Sequence, residues 1–274
     1  MKKILLSSLL ASILTASLID NQTSSYEYAT YKNSSAVKSA LKTNGLTVIG
    51  EYDAMQDKNY HIIVYTCPTL KKDASKENRA FAAVQKVLIN NNDKELVLTN
   101  PEYFLHAFMQ DDFMQDDFNE DHAKRVNKKL SMAFGTLKDS EDGLDDDDIA
   151  DYHFMIAMPY YEDMIEVAQG TDLEKRLEAN AANKIVFKID TGKALLYGIA
   201  MQGEKGEAYF INEIKGKKSS AFLPYMIMIE DNKAKILHPK YYLAIAYPNL
   251  SMGEFMSIQN TPGDIEEYMT KLFK

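Results

Sequence analysis

A single cysteine, Cys67, is the only thiol in this chain of 274 residues. One thiol excludes an internal disulfide framework and every zinc or iron–sulfur site that needs several cysteines. Seven prolines and twelve glycines are too few for a collagen-like or low-complexity chain. Long hydrophobic runs are scarce as well. Only one, at the N-terminus, approaches membrane length, which excludes a multi-span membrane protein. Basic excess is also missing: net charge is −9, and no basic patch compensates the acidic stretches, so nucleic-acid binding is not expected. Gly192, Gly198, Gly203 and Gly206 fit neither a P-loop nor a dinucleotide fingerprint. No Gly-x-Ser-x-Gly elbow occurs. His61, His106, His122, His153 and His238 show no HExxH spacing, and no Cys-x-x-Cys-His motif supports covalent haem.

What is present reads as an ordinary globular composition, 46% apolar and 26% charged, long enough for two domains of about 100–150 residues. Lys2 and Lys3 precede an uncharged stretch, Ile4 to Ile19, followed by small and polar residues. That pattern predicts a cleaved export signal over residues 1–19; the stretch is short against the roughly 20 residues of a spanning helix. A periplasmic or secreted location without a membrane span after cleavage is therefore expected. The negative charge is concentrated. Between Glu102 and Asp151 fifteen acids face five Lys or Arg. A five-residue repeat starting at Phe108, Phe113 and Phe118 matches neither the helix nor the strand period, which predicts an acidic insertion loop over 108–122. Residues 138–152 read as an acidic interdomain linker.

The chain also carries an internal repeat. At an offset of 138, Ile89, Asp93, Pro101, Tyr103 and Leu105 fall on Ile227, Asp231, Pro239, Tyr241 and Leu243, with Phe104 on Tyr242. Around this core each half reads as strand, helix, two strands, a hairpin and a closing helix. In the first half the strands are Tyr26–Tyr31, Leu46–Tyr52, Tyr60–Cys67, Ala82–Ile89 and Glu95–Thr99. In the second they are Phe154–Met158, Ile185–Ile189, Ala194–Met201, Phe222–Ile229 and Ala234–Leu237. Repeats over 26–137 and 153–274 are thus expected, α+β in class, with helices on one side of an antiparallel sheet. A sheet of this kind leaves a face or edge to cover, and an intramolecular twin covers it, so a monomer holding an internal pseudo-dimer is expected.

The segment Ala221-Phe-Leu-Pro-Tyr-Met-Ile-Met-Ile-Glu-Asp, with Lys235-Ile-Leu-His-Pro239 behind it, resembles the family called domain of unknown function 302. Phe255-Met-Ser-Ile-Gln-Asn-Thr-Pro-Gly-Asp-Ile-Glu-Glu resembles its final loop and helix. Tyr65-Thr-Cys67-Pro68 is similar to a Cys-Asn-Pro-like strand end of that family, without the Asn. The Leu-Pro pair is replaced in the first copy by Gln85-Lys86, which makes that copy a degenerate member. The resemblance implies a two-layer α/β fold with β-α-β4-α repeats, like that of the TATA-box-binding protein. It brings no established reaction, cofactor or catalytic residue.

Candidate sites follow from the residues themselves. Cys67 could serve as a nucleophile or redox group if exposed beside a base; otherwise it packs as a small hydrophobe. His61 stands six residues away on the same strand, roughly 20 Å along it, too far to pair. Tyr103, Tyr241 and Tyr242, with Tyr65 and Tyr225 on flanking strands, could wall a ligand cleft between the halves or pack structurally. His153 and Met155 share a strand face in this reading and could offer soft-metal or haem ligands. The expected function is that of an exported, non-catalytic binding protein for an unidentified small molecule or exported protein partner. A thiol-dependent or redox role for Cys67, or a haem or metal accessory role, is the alternative.

Overall fold

Asn33 caps the first helix: its side chain accepts from the Ala36 amide at 2.9 Å, Val37 and Leu41 lie buried one turn apart, and Gly45 follows at φ +71°. The computed structural model describes residues 22–115 and 117–274; the expected export signal, residues 1–19, lies outside them. The order is β1 (Gln22–Ser24), β2 (Tyr26–Thr30), α1 (Ser34–Thr43), β3 (Thr47–Asp53), β4 (Tyr60–Thr66), α2 (Pro68–Asp73), β5 (Gln85–Asn90), β6 (Glu95–Thr99), α3 (Pro101–Met109), α4 (Asp111–Gln115) and α5 (Asp117–Phe134). There follow β7 (Lys138–Asp139), β8 (Gly143–Asp145) and α6 (Asp146–Ile149). Then come β9 (Ile165–Gln169), α7 (Leu173–Ala181), β10 (Ile185–Asp190), β11 (Leu195–Ile199), α8 (Glu207–Glu213), β12 (Tyr225–Glu230), β13 (Lys233–Ile236), α9 (Pro239–Ala246), α10 (Met252–Ser257) and α11 (Thr261–Lys271).

The chain is α+β. Two antiparallel sheets run β3-β4-β5-β6-β2 and β10-β11-β12-β13-β9, so the same strand order and the same succession of elements occur twice. β7 extends the first sheet beyond β2, and β1 pairs with β8 in a separate ribbon. No helix among the described residues is long and apolar enough to cross a membrane.

Several elements differ from expectation. Phe154–Met158 forms turns; the first strand of the second sheet is β9 instead. Ala157, at φ +67°, and Pro159 interrupt the extended run. Over its described residues the 108–122 insertion is helical rather than a loop. Gln110, at φ +55°, ends α3 and α4 starts at once. That break resets the helical phase, so both Phe108 and Phe113 point inward despite their spacing of five. The acidic 138–152 segment is tied down too, because β7 and β8 pair with the strands nearest the N-terminus.

The repeat offset also changes within each half. Asn90 stands opposite Glu95 across the first hairpin, and Glu230 stands opposite Lys233 across the second. The offset of 138 therefore holds for the return strands and for α3 against α9, but it is 140 on β5 against β12. The register places Ile89 with Ile229, and Lys86 with Met226. Two residues vanish in the second turn, where Asp231 and Asn232 both adopt positive φ, at 48° and 61°. This is the type I′ geometry that matches strand twist.

Candidate functional site

Pro101 and Pro239 open α3 and α9 at the first helical turn, each behind a capping side chain. Asn100 accepts from the Glu102 amide at 3.0 Å, and the His238 ring accepts from the Lys240 amide at 3.1 Å. The duplicated tyrosines thus sit on helices, not on strands. Tyr103 donates its hydroxyl to the Ile245 carbonyl at 2.9 Å, while Tyr241 donates to the Ala107 carbonyl at 3.1 Å. Donors and acceptors are related by the same offset of 138, so the two bonds are reciprocal. Tyr26 adds a third bond of this kind, to the Ala246 carbonyl at 2.9 Å.

The aromatic-wall expectation is corrected by this placement. Tyr103, Tyr225, Tyr241 and Tyr242 have essentially no exposed surface. Tyr225 donates to the Leu237 carbonyl at 2.6 Å and Tyr242 to the Phe222 carbonyl at 2.7 Å. Burial pushes all four phenols above their ordinary value. They join backbone to backbone and present nothing to a ligand. Tyr65 is equally buried, but its hydroxyl has no hydrogen-bond partner among the described residues.

Cys67 does line a cleft. The space measures about 670 Å³ and lies where β3 passes β10. The strands approach so closely at Gly50 that any side chain there would run into the Val186 carbonyl. Thr47 and Ile49 of β3 form one wall; Thr66, Cys67, Pro68, Lys71 and Lys72 form the end; Ser75, Ile189 and Thr191 complete it. Ile189 and Thr191 come from the second half of the chain. The lining holds two lysines and no carboxylate, in a protein whose net charge is −9. Cys67 is 1% exposed. His61 is held at the far end of β4, with Nδ1 2.8 Å from Asp53 and Nε2 3.3 Å from Glu51, so it offers Cys67 no base.

His153 and Met155 do not converge. The His153 ring packs on Tyr160 at 4.4 Å between centroids, and Met155 points to solvent. Since 153–158 is not a strand, the shared face that paired them is absent. Among the described residues no group of three or more His, Cys, Asp or Glu is placed to hold a metal ion.

Three buried ionisable groups carry no signal in the sequence pattern. Glu207 accepts from the Tyr52 hydroxyl at 3.0 Å, the Met55 amide at 3.0 Å and the Met201 amide at 3.2 Å, joining α8 to the turn after β3. Burial raises its carboxyl to about 7. Burial likewise raises Glu27 to about 7 and lowers the Lys86 amine to about 7. Among the described residues Lys86 reaches the Tyr242 hydroxyl alone, at 3.4 Å. A second cleft, of about 520 Å³, lies beside Asn78. Asn78 receives Tyr161 at its carbonyl and Lys235 at its side chain, and donates its amide to Glu230. The Asn78 amide, carbonyl and side-chain oxygen are thereby occupied in joining the halves.

Comparison with known proteins gives no matching family model, no matching curated protein and no matching solved structure.

Proposed function

We propose that this chain is an exported, non-catalytic binding protein that holds a small amphipathic anion in the cleft between β3 and β10. In this reading its two halves are repeats of the domain-of-unknown-function-302 kind, related to the fold of the TATA-box-binding protein and joined as an intramolecular pseudo-dimer. The reciprocal Tyr103 and Tyr241 bonds support the pseudo-dimer, because a two-fold axis requires that residue i meet j′ while i′ meets j. So does the exchange of segments. The 3-10 turn at Ala80–Ala83 packs on β11 and β12, and that at Gly216–Phe222 packs on β5 and β6.

The observation that carries the ligand reading is the one-sided charge of a cleft built from both halves. Lys71 supplies a cationic donor at one end, and Ile49, Ile189 and Pro68 supply an apolar wall. Binding is favoured over thiol chemistry because Cys67 is almost fully buried and His61 is held by Asp53 at the far end of β4.

The test is an NMR titration of the purified chain with a panel of short-chain carboxylates. Shifts centred on Thr47, Ile189 and Thr191, lost in Lys71→Glu and in Ile189→Glu, are the expected result. A panel that leaves those amides unmoved would overturn the cleft reading. Loss of a thiol-dependent activity on Cys67→Ala, with ligand binding absent, would replace it with the redox alternative.

A further inference from the structure

Apolar residues left in water at the surface are normally scattered. Here they are not. Among the described residues seven large apolar side chains are exposed, and five of them, Met155, Ile156, Tyr160, Met252 and Met256, belong to two segments. Ile156 is 91% exposed. The segments are joined by a stack of Phe154 on Phe255, with ring centroids 4.6 Å apart and planes 22° from parallel. Met252 and Met256 are four apart on α10, hence on one helix face beside Phe255. Methionine side chains adapt to the shape of an apolar partner without fixed rotamers, which suits them to a contact surface.

The border of this patch is acidic. From Asp139 to Asp151 the chain carries eight carboxylates and no Lys or Arg, and none of the eight makes an ion pair among the described residues. Asp145 to Asp148 and Asp151 are exposed. Two contacts keep this border beside the methionines. Asn249, three residues before Met252, donates to the Asp142 side chain at 2.9 Å and to the Glu141 carbonyl at 3.2 Å. The His153 ring nitrogen lies 3.3 Å from the Asp151 carbonyl, immediately before the Phe154 stack. An apolar face rimmed by unpaired negative charge is complementary to a helix with one apolar and one cationic face.

We propose that the surface formed by Phe154–Tyr160 and α10 docks a cationic amphipathic helix of a partner protein, its apolar side on Ile156, Met252 and Met256 and its Lys or Arg side chains against Asp145–Asp151. This docking surface is separate from the anion cleft and does not depend on it. The acidic border repels an anionic membrane and a second copy of the same surface, which leaves a cationic polypeptide as the fitting occupant.

The experiment uses the whole purified chain and a labelled synthetic 14-residue helix with leucine on one face and lysine on the other, read by fluorescence anisotropy. A glutamate-for-lysine analogue serves as control. Expected are binding of the lysine peptide only, affinity that falls as salt rises, and a loss of about tenfold or more in Ile156→Asp/Met252→Asp. Those side chains are exposed, so the melting temperature of the variant should stay unchanged. Asp147→Asn/Asp148→Asn should weaken binding several-fold and flatten its salt dependence. Three results would overturn the proposal: no binding of the lysine peptide, equal binding of the glutamate peptide, or self-association in ultracentrifugation that Ile156→Asp/Met252→Asp abolishes.

Discussion

The two halves share a strand order but solve the same positions with different chemistry. Where the second half has Met226, buried and apolar, the first has Lys86, buried and ionisable. The second hairpin closes in two residues, Asp231 and Asn232; the first needs the four from Asn91 to Lys94. Helix α8 of the second half reaches across with Glu207 to hold the turn of the first. What the halves have in common across their junction is the reciprocal pair of bonds made by Tyr103 and Tyr241. The comparison teaches that matching sheet positions accept different chemistry while this one pair of bonds between the halves is kept.

The comparison is broken most strongly at Lys86. Its amine, near 7 when folded and 10.5 when unfolded, leaves the native chain holding fewer protons between those values, so stability rises with pH across that window. Lys86→Met installs the residue of the counterpart position. It should stabilise the protein at pH 7 by about 2–4 kcal/mol and flatten the slope of the urea midpoint between pH 7 and 10. A midpoint unchanged at pH 7 would show that the amine is solvated.

Glu207 has the opposite sign. Its folded value of about 7 lies above the ordinary 4.5, so its contribution favours the native state below pH 4.5 and is lost as pH rises through 7. The whole change is about 3 kcal/mol. Glu207→Gln should remove that part of the pH dependence while weakening the hold on the Met55 amide. Chemical denaturation at pH 5 and pH 8 measures it; equal pH dependence in both proteins would refute the assignment.

Tyr103→Phe leaves the Ile245 carbonyl without its tyrosine donor, for about 1–2 kcal/mol, whereas in Tyr241→Phe the Ala107 carbonyl keeps the Gln110 side-chain amide, so that loss should be the smaller. Thermal melts measure both; a larger loss in Tyr241→Phe than in Tyr103→Phe would overturn this ordering. The smallest effect concerns the turn. Asn232→Gly relieves a side chain held at φ 61° and should gain up to about 1 kcal/mol, as should Lys94→Gly at φ 54° in the first hairpin.

Much of the fold was legible because strands advertise themselves. Alternating or continuous apolar runs bounded by Asn-rich turns mark β4, β6, β10 and β13 close to their observed limits. The helices after Pro101 and Pro239 were missed, since each is short and apolar all round and so shows no amphipathic period. Phe154–Met158 misled for the converse reason: apolar residues there lie exposed or half-buried in turns and are not paired in a sheet. At the candidate cleft, Cys67 was visible as the lone thiol. Ile189 and Thr191 were invisible because they lie more than 100 residues away in the chain.

The amino-acid sequence by itself determined the class of the protein, α+β, the near-repetition of its elements and the confinement of its negative charge to one stretch. These depend on local period and composition, which need no knowledge of what meets what. Only the tertiary structure decided the roles. It turned the repeated tyrosines from a proposed ligand wall into bonds between the halves, placed two lysines and a thiol in one cleft, and left a methionine surface uncovered beside the acidic stretch. The physical reason is that burial and partner choice belong to pairs of residues distant in the chain, and the same tyrosine or aspartate is a core bond, a ligand or a rim according to what the fold sets against it.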